Sequence, residues 1–138
     1  MAVERFTTMP LPAEFTVTAP DGSGIRELAR LTRGSLAHGV LSPGSVSRAI
    51  RHQTVEELWF VLSGSAEIWR KLGDSESIEA IGAGDSLTIP VGAHFQFRTV
   101  GTEPFTFIMC TMPPWSGADE AVRVDGVWTA TVASEDAG

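Results

Sequence analysis

Apolar and polar residues alternate along this chain in short runs, and no stretch longer than a few residues repeats with the helical period of 3.6. Gly, Pro, Asp and Ser break the runs roughly every 8–12 residues, as in an antiparallel sandwich or barrel. The pattern predicts strands near 14–19, 25–33, 35–41, 45–51, 57–62, 66–72, 77–81, 86–89, 94–100 and 104–112. Reversals are expected at Asp21-Gly22-Ser23-Gly24, Ser42-Pro43-Gly44, Ser63-Gly64, Gly73-Asp74, Gly82-Ala83-Gly84 and Gly101-Thr102, where Gly and Pro supply the required backbone conformations. In Met112-Pro113-Pro114-Trp115 two prolines cannot continue a ladder, so the last barrel strand ends there. The organisation expected is an N-terminal arm over 1–13, a β-barrel over 14–115, and a C-terminal extension over 116–138. The small acidic tail Ala133–Gly138 is expected to be disordered.

At 138 residues the chain makes one domain with a real core. A net charge of −7 argues against a nucleic-acid surface or a polybasic membrane patch. The single cysteine, Cys110, excludes an internal disulfide framework and fits a reducing cytoplasm. Neither a leader-like start nor an apolar run of membrane-spanning length is present, so the expectation is a cytoplasmic protein, bacterial in style. Three histidines, His38, His52 and His94, limit any metal site.

Two spacings carry the chemistry. The first runs Gly44-x5-Ile50-x-His52-x4-Glu57-x6-Gly64, and the second Gly84-x5-Pro90-x-Gly92-x2-Phe95-x3-Thr99. Period-2 alternation puts Arg48, Ile50 and His52 on one strand face, and Glu57, Trp59 and Val61 on one face of the next. In the second motif, Phe95 and Phe97 share a face whose burial is favoured by roughly 1.5–3 kcal/mol per ring. A one-residue slip would turn both outward, so His94, Gln96 and Arg98 are expected on an outer, partly wet face, unless a dimer partner covers it.

Together the two spacings, spanning about residues 34 to 115, resemble the paired motifs of the cupin superfamily. The run Arg51 to Trp59 and the run Phe95 to Arg98 are similar to a group of small single-domain bacterial cupins. The resemblance implies an all-β jelly-roll barrel, the double-stranded β-helix, with the side chains at 50, 52 and 57 pointing inward. The family usually holds a metal with three His and one Glu. Here Ile50 and Phe95 stand at two of the His positions, so no metal is expected; His52 and Glu57 would be the ligands if one were bound. A divalent Fe, Mn, Ni or Zn ion would need completion from His38, His94, Glu56 or Gln53.

The resemblance and the residues lead to three readings. The first is a metal-independent lyase, isomerase or cyclase, with His52 as general acid/base and Glu57 orienting the imidazole and stabilising its charged form. In it Arg48 anchors an anionic group, with a salt bridge to Glu27 or Glu57 as its alternative. Arg48, Trp59, Phe95, Phe97 and Met109 would contact substrate, with Trp69 and Phe107 also shaping the cavity and Trp115 covering the mouth. The second is a metal-dependent dioxygenase or isomerase. The third is a non-catalytic ligand-binding cupin in which His52 and Glu57 form a buried tether. The partner expected in each is a small molecule, possibly anionic, with no nucleic acid and no membrane. A homodimer is also expected, because Leu58, Phe60 and Leu62 alternate with the inward set and would otherwise face water.

Overall fold

The computed structural model describes residues 6–132. Eleven strands form two facing sheets: β1 (Val17–Thr18), β2 (Gly24–Arg30), β3 (Ser35–Leu41), β4 (Ile50–His52), β5 (Glu56–Ser63), β6 (Ser65–Leu72), β7 (Ser75–Gly82), β8 (Ser86–Ile89), β9 (His94–Val100), β10 (Phe105–Met112) and β11 (Ala121–Arg123). One sheet has the order β1-β2-β3-β10-β5-β8 and the other β11-β4-β9-β6-β7, with antiparallel pairs throughout. This is the antiparallel barrel expected from the alternation, in the double-stranded β-helix form that the resemblance implied. Among the described residues a single 3-10 turn, Ala118–Glu120, interrupts the strands. Among the described residues no helix is long and apolar enough to cross a membrane.

The alternation in β5 and β9 is realised with a sharp division between faces. Glu57, Trp59 and Val61 are buried while Leu58, Phe60 and Leu62 remain about half exposed, at 50%, 48% and 44%. Phe95 and Phe97 point inward, and Ile50 lies directly opposite Phe95 in the ladder. One part of the barrel is filled with rings. Trp59 stacks on Phe107 with centroids 4.2 Å apart and 20° between planes, while Phe97 and Phe105 pack around them. Gly39 on β3 makes room for this stack: a Cβ there would sit 2.5 Å from the Phe107 ring.

Several local expectations need correction. The expected strand 45–51 contracts to Ile50–His52, with only a bridge from Val46 to Arg98 before it. The residues before it still bond β9, with the Ser47 N–H donating to the Phe97 carbonyl and the Thr99 N–H to the Ser45 carbonyl, while the Arg48 N–H donates to the Asp21 carbonyl on the other side. Gln96 is buried on the outer face, and the chain itself covers it. Its Oε1 accepts the N–H groups of Val127 and Trp128, and its Nε2 donates to the carbonyls of Ser47 and Trp128. Gly126 is required at that crossing, since a Cβ would lie 2.2 Å from Gln96 Oε1. The extension thus packs on the barrel and adds β11, a strand whose three residues carry little periodic signal. The arm is tied down by Arg26, whose guanidinium donates to the carbonyls of Pro12 and Ala13. The tail expected at Ala133–Gly138 lies outside the described residues.

Candidate functional site

At the other part of the barrel the two sheets diverge around a cavity of about 320 Å³. Ile50 and His52 enter it from β4, Glu57 from β5, Phe95 from β9 and Met109 from β10, all by the same inward alternation. Its side walls come from residues 17–21, from β2 and from β3. Trp115 closes one side just beyond the proline break. Its N–H donates to Ser35 Oγ, and its carbonyl accepts from Arg30.

His52 and Glu57 face each other with Nδ1 and Oε2 3.8 Å apart, beyond hydrogen-bond reach. Both are almost fully buried, and His52 Nδ1 has no hydrogen-bond partner. The imidazole lies edge-on between Phe95 and Trp115, at centroid distances of 5.5 and 5.3 Å. Glu57 Oε1 accepts the indole N–H of Trp59 at 2.8 Å. That leaves Oε2, the oxygen on the His52 side, as the better seat for a proton.

Low dielectric decides the charge of both groups. Burial pushes the Glu57 carboxyl up to about 8; the Trp59 hydrogen bond opposes this, and the nearby Asp21 charge adds to it. Burial lowers His52 to about 4, against a smaller upward pull from Glu120. Near neutral pH the pair is therefore a carboxylic acid beside a neutral imidazole. This corrects the expectation that Glu57 is a carboxylate holding a charged His52: an ion pair without a direct hydrogen bond does not offset the desolvation of two charges.

Other candidates divide by position. Phe95 and Met109 line the cavity; Arg48, Trp59 and Phe97 do not. Trp59 and Phe97 belong to the ring stack. Arg48 is buried but is not among the residues that line the cavity, and its Nη1 donates to the Pro20 carbonyl. Trp69, expected in the cavity, is buried outside the barrel instead, because it pairs with outward-facing Gln96 and donates to Glu76. His94 is on that same outer face. His38 is buried on the outside of the six-stranded sheet between Arg26 and Ile108, and burial followed by the Arg26 charge lowers its pKa. Asp21, Glu27, Arg30 and Thr111 also line the cavity and were not singled out from sequence. They come from the β1–β2 turn and from strands outside the two motifs, and only the closure of the sheets brings them there.

A divalent cation does not fit this donor set. Carbon side chains occupy positions 50 and 95, directly opposite each other, leaving one imidazole and one carboxyl where three or four N/O ligands are needed. Among the described residues no group of three or more His, Cys, Asp or Glu could hold a metal ion.

A family model described as "Cupin domain" matches residues 37–111, and the chain belongs to that family. An uncharacterized protein of Methanocaldococcus jannaschii is 30% identical over 107 residues, covering 74% of this chain and 82% of that one. Among solved structures, an uncharacterized conserved protein with a double-stranded beta-helix domain from Klebsiella pneumoniae superposes with a TM-score of 0.62. It shares 18% identity and covers 90% of this chain and 100% of its own. The capsular polysaccharide assembling protein CapF from Staphylococcus aureus gives a TM-score of 0.67 at 19% identity, covering 86% of this chain and 33% of that one. At these identities what the solved structures share with this chain is the fold.

Proposed function

We propose that this cupin is a small-molecule enzyme that moves protons without a metal, in the isomerase, lyase or cyclase class. The observation that carries the reading is the buried pair itself: a carboxyl and an imidazole face one cavity, 3.8 Å apart and not bonded to each other, where burial favours the neutral form of each. A mere structural tether would be expected to close that gap, since a buried polar atom without a partner costs roughly 1–3 kcal/mol.

Glu57 Oε2–H donates to a substrate carbonyl oxygen while His52 accepts a proton from the adjacent carbon, leaving an enol and an imidazolium. The imidazolium then returns its proton to a different carbon, completing an isomerisation, or to a departing group, completing an elimination. In a cyclisation the enol carbon attacks a second carbonyl, whose oxygen takes that proton. Glu57 recovers its own proton as the carbonyl re-forms. Phe95 and Trp115 hold the imidazole edge-on and keep water from it.

The test is α-proton exchange in D₂O, followed by NMR, over a panel of neutral cyclic ketones. Exchange above the buffer rate that is lost in both His52→Ala and Glu57→Gln is expected. Exchange unchanged in either folded variant would reject the assignment. The same proposal includes a homodimer through the outer face of the six-stranded sheet, where Leu58, Phe60 and Leu62 are exposed. Light scattering should give twice the protomer mass, and Phe60→Glu should halve it.

A further inference from the structure

His52 is held by the C-terminal extension more than by the barrel. β4 meets β9 at the pair Ile50 and Phe95, whereas each of its three residues pairs with β11, His52 with Ala121. On the other side the His52 carbonyl accepts the Gly92 N–H at 3.2 Å. Past His52 the chain reverses through Gln53, Thr54 and Val55 into β5, where Glu57 is the second residue. That reversal is gripped by Glu120, in the 3-10 turn just before β11. The Gln53 N–H donates to the Glu120 carbonyl at 3.0 Å, and the Thr54 N–H and hydroxyl both donate to the Glu120 carboxylate. Gln53 Nε2 adds a bond to the Asp119 carbonyl at 2.7 Å. Glu120 is buried, at 5% exposure, and its charge-assisted bonds to Thr54 offset the cost of that burial.

We propose that Glu120 is a positioning residue for the site: by clamping the reversal between β4 and β5, it fixes where the His52 ring stands relative to Glu57, Phe95 and Trp115. Its part in proton transfer rests on the reading above; its hold on the ring does not. His52 and Glu57 stand at opposite ends of the reversal, so any shift of those few residues changes the 3.8 Å gap between them. The segment leading to Glu120 also supplies Ser116, Gly117 and Ala118 to the cavity wall, so one clamp joins that wall to His52. Glu120 lies close enough for its charge to pull the His52 pKa up, against the larger effect of burial.

Proton–carbon NMR of the histidine rings in the full chain tests this. The His52 signals report ring position, because Phe95 and Trp115 flank the imidazole edge-on at 5.5 and 5.3 Å and shift its resonances. Glu120→Ala is expected to move the His52 signals and to leave those of His38, on the opposite sheet, in place. It should also lower ketone α-proton exchange on the order of 10²-fold, the cost of a misplaced reacting group. Glu120→Gln, which keeps an acceptor for Thr54, should restore both. Thr54→Val removes one donor to the clamp, should move the same signals less, and decides the matter if Glu120→Ala does not fold. Gly126→Ala loosens the same extension away from the clamp and should leave His52 unmoved, which separates positioning from mere stability. Unmoved His52 signals in the folded clamp variants, or undiminished exchange where the signals have moved, would overturn the proposal. Exchange absent from the unaltered chain would instead reject the reaction assigned above, and the ring signals would still decide the clamp.

Discussion

The two ends of the barrel are built by the same strands under the same alternation, yet one is solid and the other hollow. Phe107 and Met109 make the contrast concrete, as neighbours on the inward face of β10. Phe107 lies fully buried against Trp59, Phe97 and Phe105. Met109 looks into a cavity that also holds His52 and Glu57. Trp59 is the seam: its ring faces the filled end and its N–H reaches Glu57. The filled end gives the walls the rigidity to keep two polar groups buried without bonding them to each other.

The largest expected effect strikes the hollow end alone. His52→Ala should lower turnover by ~10²–10⁴-fold, the range of a lost general acid/base, while circular dichroism stays unchanged. Phe107→Ala should do the opposite, costing ~3–5 kcal/mol in urea unfolding. Met109→Ala should fall at or below ~2 kcal/mol, because part of that side chain already borders open space. Equal losses for the two would dissolve the distinction between the ends.

The pH dependence of stability tests the neutral pair. Glu57 is raised in the folded state, so its contribution is fully present below its unfolded pKa and is lost as pH climbs towards about 8. His52 is lowered, so its contribution is present above its unfolded value of 6.5 and is lost as pH falls towards about 4. Between the unfolded Glu value of 4.5 and 6.5 the two slopes cancel. From 6.5 to about 8 only Glu57 acts, and unfolding free energy should drop by up to ~1.4 kcal/mol per pH unit. Glu57→Gln should flatten that slope in denaturation series at fixed pH. A slope unchanged in the variant would place the titrating group elsewhere.

Smaller effects lie outside the cavity. Gly126→Ala should cost ~1–3 kcal/mol by forcing the extension off Gln96, seen as a lower urea midpoint. Treatment with a chelator should change neither stability nor exchange rate by a measurable amount. A loss restored by one divalent ion would bring the metal reading back.

Much of the architecture was legible beforehand because a strand writes itself into local alternation. Period grouped Glu57 with Trp59 and Phe95 with Phe97, and the resemblance and the burial preference of the rings turned those faces inward, with Leu58 and Phe60 outward. Inwardness, however, does not say how deep along the barrel a residue lies. Trp59 and Phe97 therefore entered the expected contact set although they fill the closed end. Gln96 and Trp69 appeared to face solvent or cavity because the segment covering Gln96 is more than 25 residues away in sequence. Arg48 was expected inward, but its N–H donates to the carbonyl of Asp21, a turn residue far away in sequence that alternation says nothing about.

The sequence by itself determined where most strands and turns lie and which residues share a strand face, since alternation and glycine-proline spacing act over a few residues, and its two motif spacings carried the resemblance to the cupin family. It also marked His52 and Glu57 as the polar intruders in an apolar interior. Only the tertiary structure decided that Arg48 stays out of the cavity, that Asp21 and Trp115 enter its wall, and that the acid and the imidazole are both neutral. Those outcomes depend on distance and desolvation between segments far apart in the chain, and neither quantity exists until the two sheets close.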